Sequence, residues 1–201
     1  MPMNNLKLTP SLGFSLALTL LMLMLSFLSP WVFECLSLER AAVAQGQAWR
    51  LLTGNLVHFG WAHTAMNLGA FLLCSFGLLP QYNLPRFITL LLVCCLAVGV
   101  GIYLLNPEYG TYAGLSGAIH GLIIAGLLQS TLHPLWLRAA AMGIVVVKLV
   151  QEQSPNYQAT DLQNLIPVPV AADAHLYGAV AGLIFVLVDW FFIQLRKRNA
   201  Q

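Results

Sequence analysis

The sequence predicts an all-α membrane protein, a bundle of six transmembrane helices, and three observations carry that prediction. Hydrophobic residues make up 59% of the 201 positions and charged residues only 8%, with a mean hydropathy of +0.77, where a soluble domain carries roughly 25% charge. Six apolar stretches can be drawn, at about 12–33, 58–79, 86–105, 114–132, 135–151 and 174–195. Most are near the ~20 residues that a spanning helix needs. The third observation is the placement of the few Lys and Arg residues, which sorts the connections into two sides.

The first stretch, 12–33, follows Lys7. A cleaved signal peptide is the competing reading, but the run is long for one and no small-x-small site closes it, so a retained first span is expected. The connection 34–57 is long and mixes apolar with polar residues; with Trp31 and Phe33 just before it and Trp49 and Arg50 within it, the composition suits the membrane interface. The second stretch opens on His58, His63 and Asn67, the fourth on Ser116 with His120 a turn later, and the sixth on His175. The connection 152–173 contains Pro155, Pro167 and Pro169 and is not expected to be helical throughout. No internal repeat or low-complexity tract interrupts the chain, so residues 1–201 read as a single domain.

With the N-terminus in the cytoplasm, Lys7, Arg86, Arg138, Arg196, Lys197 and Arg198 all fall on the cytoplasmic side. The outer side then holds Arg40 and Arg50, with Lys148 near the outer end of the fifth span, and the acids Glu34, Glu39, Glu108, Glu152, Asp161 and Asp173. The basic bias predicts both termini inside, in a multi-pass protein of the cell's inner membrane. The net charge of +2 points to no nucleic-acid surface. Of the four cysteines, Cys35, Cys74, Cys94 and Cys95, three lie inside apolar runs. None form a CxxC or a metal-ligand spacing, so neither a disulfide framework nor a metal is expected.

Polar residues inside spans are costly and mark function. In this topology the second, fourth and sixth spans all begin at the outer face, which places their polar clusters at one depth. Ser116 sits in Gly114-Leu115-Ser116-Gly117, where the glycines permit a tight backbone and close approach of a substrate strand. At a helix start it also has backbone N–H groups nearby to stabilise an oxyanion, although a plain helix cap is the alternative. A serine nucleophile needs a base, and His175 is a candidate. Gly117 and Gly121, and Gly178 and Gly182, form two GxxxG faces that let membrane helices approach closely and would bring Ser116 to His175. His63 and Asn67, spaced i, i+4, share a face and can both donate to an oxyanion. His120 lies one turn below Ser116, where it can stack under His175 or bond a nearby carbonyl. No Asp or Glu is expected at His175: Asp173 points to the loop, Asp189 lies at the far end beside the basic tail, and a Ser–His dyad is predicted.

These residues resemble the rhomboid family of intramembrane serine proteases: Trp49-Arg50, His58, His63 and Asn67, Gly114-Leu115-Ser116-Gly117, and Ala174-His175 with Gly178 and Gly182, in family order over most of the chain. The resemblance implies a six-helix rhomboid-like bundle with Ser116 as nucleophile and His175 as base. It implies an oxyanion hole from His63, Asn67 and the Ser116 backbone N–H; Gly114 and His120 are expected beside it in support. It needs no cofactor. His120 stands where general rhomboids often have Tyr, and Gly114-Leu115-Ser116-Gly117-Ala118-Ile119-His120-Gly121 is similar to the rhombosortase branch. That branch implies, as substrates and partners, exported membrane-anchored proteins ending in Gly-Gly, an apolar helix and a basic tail, cut at the outer, periplasmic side. An accessory membrane partner is left open. Three other readings also remain open: a general rhomboid protease of single-span proteins, an inactive escort, and a haem protein ligated by two of His58, His63, His120 and His175. A zinc protease lacks its HExxH.

Overall fold

The computed structural model describes residues 9–155, 157 and 165–199; Lys7, Asp161 and the rest of positions 156 and 158–164 in the predicted connection 152–173 lie outside the described residues. Each of the six apolar stretches centres on a helix, although the first helix stops at Phe27, short of the predicted end at 33. They are α1 (Pro10–Phe27), α5 (Gly60–Gly77), α6 (Leu84–Leu105), α7 (Ser116–Gln129), α8 (Leu135–Glu152) and α9 (Ala172–Asn199). Between α1 and α5 run the short helices α2 (Trp31–Leu36), α3 (Arg40–Ala44) and α4 (Arg50–Thr53), with strand β1 (Leu38–Glu39) between α2 and α3. By length and composition α1, α6 and α9 are long and apolar enough to cross a membrane, and α7 is a shorter apolar helix.

Local chemistry sets the helix ends. The Thr9 hydroxyl accepts from the Leu12 N–H, and Pro10 occupies the first helical position of α1. Asn83 caps α6 in the same way, accepting from the Arg86 N–H ahead of Pro85. Asp189, read from the sequence as lying beside the basic tail, pairs with Arg86 of α6, which also reaches Gln129.

Helix α7 is the centre of the fold. Ten of its fourteen residues are buried, on all sides, which is the pattern of a core helix and not of an amphipathic one. At about 1.5 Å per residue it is roughly 21 Å long, short of the ~30 Å hydrocarbon layer. A short helix enclosed by longer ones places its first residue, Ser116, within the bundle. Its contact with α9 is very close. A Cβ added at Gly178 would lie 1.8 Å from the Gly117 carbonyl oxygen, and one at Gly182 would lie 2.2 Å from that of Gly121. The two GxxxG faces therefore meet backbone to backbone.

The long first connection is a built element. Arg50 is buried and donates from Nη1 to the carbonyls of Glu34 (2.8 Å) and Ser37 (2.7 Å), and from Nε to Gln47 Oε1 (2.7 Å). Strand β1 pairs antiparallel with β2 (Thr111–Tyr112), Leu38 opposite Tyr112. The Gly114 N–H donates to the Gly54 carbonyl (2.9 Å). The connection thus holds the segment that leads into Ser116, while Trp31 and Trp49 stay exposed as an interfacial segment would leave them.

Candidate active site

Ser116 is the first residue of α7, and Leu115 takes the capping position without a side-chain bond. The hydroxyl is therefore not a helix cap. It meets His175, in the first turn of α9, with Oγ 3.0 Å from Nε2. The His175 ring stacks on His120 at 4.1 Å between centroids and a 22° tilt. Its other nitrogen, Nδ1, lies 2.8 Å from Glu152 Oε2.

That last contact corrects the sequence reading, which expected no acid at His175. Glu152 ends α8, one residue past the predicted span, and its side chain is fully buried. The signal was present in the i, i+4 pair Lys148 and Glu152 at the end of an apolar run. Which acid reaches His175 depends on the rotation of α8, and sequence spacing does not give that. Asp173 turns instead to Asn106 Nδ2 (3.1 Å) and the Tyr109 hydroxyl (3.4 Å). There burial, and then the Asp173 carboxylate, push the Tyr109 phenol up to about 12, so it remains a neutral donor.

His120 both stacks on His175 and bonds a nearby carbonyl, the two places its position below Ser116 offers. Its Nδ1 bonds the Ser116 carbonyl at 2.8 Å and its Nε2 lies 3.2 Å from Lys148 Nζ. A charged Lys148 donates, so Nε2 accepts and Nδ1 carries the proton. Neither nitrogen is left for an oxyanion, and His120 supports His175 by stacking. The two rings meet face to face, with no lone pairs opposed across a gap, which does not suit a haem iron between them. His120, Glu152 and His175 are close enough to ligate a cation. The Lys148 ammonium, bonded to Glu152 and His120, already places a positive charge there.

On the opposite wall, His63 is in the first turn of α5. Its Nδ1 accepts from the Phe59 N–H at 3.3 Å, which leaves Nε2 as the donor. The ring lies against Gly114: a Cβ there would meet His63 Cε1 at 2.7 Å and Nε2 at 2.8 Å. Asn67 donates one amide hydrogen to the His63 carbonyl (2.9 Å). Its second N–H is left for the cavity it lines. His58 does not enter that cavity; its Nε2 accepts from the Leu115 N–H at 3.4 Å and steadies the turn before Ser116. Gly114 has φ +128°, where a side chain is strained. Gly114→Ala is expected to slow acylation of Ser116 by a fluorophosphonate by about tenfold or more, read as the labelling rate.

Most of these groups, but not His58 or Glu152, line one cavity of about 900 Å³. Its polar floor is Ser116, His63, Asn67, His120, Lys148 and His175, and its walls include Met66 and Ala70 from α5 and Val145 from α8. A hydroxyl with a base at 3.0 Å, beside backbone and side-chain donors in an apolar recess, is equipped for acyl transfer.

Comparison with known proteins agrees with this architecture. The Rhomboid domain family matches residues 45–191, most of the chain. The chain is 31% identical over 114 residues to the rhomboid protease GluP of Bacillus subtilis (strain 168), covering 56% of this chain but only 22% of GluP. It is 30% identical over 157 residues to YdcA of the same organism, whose name assigns it provisionally to the rhomboid proteases; this covers 78% of the chain and 73% of YdcA.

Proposed function

The chain belongs to the rhomboid family, and from that premise we propose that it is an intramembrane serine endopeptidase that removes C-terminal sorting tails from exported proteins. The observation that carries the reading is the Ser116 Oγ to His175 Nε2 contact of 3.0 Å inside an apolar cavity. Ser116 Oγ attacks the scissile carbonyl carbon and passes its proton to His175 Nε2. The oxyanion forms near the first-turn N–H groups of α7, the His63 Nε2–H and the Asn67 amide. The tetrahedral species expels the amine, which takes the proton from Nε2, and leaves an acyl-enzyme. A water then gives its proton to Nε2 and its oxygen to the acyl carbon; the acyl carbon–Oγ bond breaks, Oγ takes the proton back from Nε2, and the carboxylic acid product leaves. The same contact argues against an inactive escort, which has no use for an aligned base.

The substrate is the tail type of the rhombosortase branch: Gly-Gly, an apolar helix and basic residues. His120 within Gly114-Leu115-Ser116-Gly117-Ala118-Ile119-His120-Gly121 supports this. Gly also lowers the cost of leaving the helix before attack, by about 1 kcal/mol per residue relative to Ala. The protein works in the inner membrane with both termini in the cytoplasm and the cavity opening outward.

The test uses the full chain in liposomes with a substrate ending in Gly-Gly, an apolar span and Arg residues. Replacing Gly-Gly by Leu-Leu is expected to lower cleavage on the order of 10²-fold. Equal cutting of unrelated single-span proteins would sink the sorting-tail assignment in favour of a general protease.

A further inference from the structure

Glu152 ends a helix in which only one other residue, Leu149, is buried. A charged side chain at the end of a spanning helix can reach the polar interface, and Lys148, one turn earlier, keeps 44% of its side chain exposed. Glu152 turns inward instead, with 0% side-chain exposure. Its Oε2 faces His175 Nδ1 at 2.8 Å and its Oε1 takes the Lys148 ammonium. A carboxylate held inside a membrane bundle is costly, so its place beside the base calls for a reason.

We infer that Glu152 is a positioning residue that completes a Ser116–His175–Glu152 relay, with Lys148 holding the carboxylate in place. The inference rests on the serine-protease reading and adds a third member to it. Accepting from the Nδ1–H fixes the tautomer in which the Nε2 lone pair faces Ser116 Oγ. When Oγ attacks, its proton moves to Nε2, and the resulting imidazolium lies 2.8 Å from a negative charge. Glu152 takes no proton at any step. Its neighbours cannot replace it. His120 supports the ring face, but both its nitrogens are engaged. Lys148 Nζ lies 3.5 Å from His175 Nδ1 and, without Glu152, would oppose the positive charge that develops there. Because the carboxylate and the ammonium both come from α8, the third member of the relay is in place only while this lightly buried helix is docked.

The experiment compares wild type, Glu152→Gln and Glu152→Asp as full chains in liposomes. It reads cleavage of the Gly-Gly substrate and the rate of Ser116 labelling by a fluorophosphonate, with thermal unfolding as the control for fold. Glu152→Gln is expected to lower kcat and the labelling rate on the order of 10³-fold, with KM within about threefold. Glu152→Asp keeps the charge one methylene further back and should recover part of both, within about tenfold of wild type. A Gln variant that labels and cleaves within about threefold of wild type overturns the relay and leaves Ser116 and His175 standing. So does a loss confined to KM or to thermal stability. If the Gln variant does not fold, folded Glu152→Asp protein decides: slower labelling supports the relay and an unchanged rate overturns it. Wild-type protein that neither labels nor cleaves overturns both the relay and the protease reading.

Discussion

Ser116→Ala is expected to lower cleavage by on the order of 10⁴-fold or more while the protein still folds and inserts. Both halves of that expectation come from the site. The Ser116 side chain meets His175 Nε2 at 3.0 Å, and removing a nucleophile from such a pair leaves only the rate that binding and oxyanion stabilisation provide. Ser116 is not the cap of α7, a position held by Leu115, and Ala is the best helix former, so no helix end is weakened. The measurement is the initial rate of tail release in liposomes beside the thermal midpoint of the same preparation. An Ala variant that cleaves at the wild-type rate would show that another group is the nucleophile. A variant that melts early would show that the hydroxyl serves the fold.

The parts of this site that are legible in the sequence are those fixed within one helix. The i, i+4 spacing of His63 and Asn67, the glycine context of Ser116 and the GxxxG faces of α7 and α9 are local patterns, and each carries its physical meaning in residue type and spacing alone. Gly178 lying against Gly117 is the meeting that those faces anticipate. What is not legible is what depends on how helices rotate and dock. Glu152 reads as a loop acid because the apolar run stops one residue before it, and its inward turn is set by the packing of α8. His120 reads as free to reach either the base or a carbonyl, and it does both, because its ring stacks while its Nδ1 bonds the Ser116 carbonyl. The first connection reads as an interfacial mixture, yet Arg50 makes it rigid by binding two backbone carbonyls, and α4 packs on α6 so closely that a Cβ at Gly99 would lie 1.8 Å from the Leu51 carbonyl oxygen. Contacts between distant backbones leave only a glycine behind in the sequence, without naming its partner.

Gly178→Val is expected to disable the protein through geometry alone, since Gly178 touches neither substrate nor proton. Its Cβ would lie 1.8 Å from the Gly117 carbonyl oxygen. Ordinary contact requires α7 and α9 to part by roughly 1.5 Å, and both are backbone, so no side chain can turn away. Ser116 is the residue before Gly117 on α7, and His175 lies one turn before Gly178 on α9. The separation therefore opens at the reactive pair, where a misplacement of about 1 Å can cost on the order of 10²-fold in rate. Overpacking of this kind also costs about 1–3 kcal/mol of stability. Gly143→Ala is the matched control: it is a helical glycine on α8 with nothing within 4 Å of its added Cβ, and it should be neutral or up to about 1 kcal/mol stabilising. The decisive reading is the fluorophosphonate labelling rate at a temperature where Gly178→Val is still folded. Slow labelling in folded protein places the defect in the Ser116–His175 alignment, whereas labelling at the wild-type rate would mean that α7 and α9 accommodate the side chain without moving the pair.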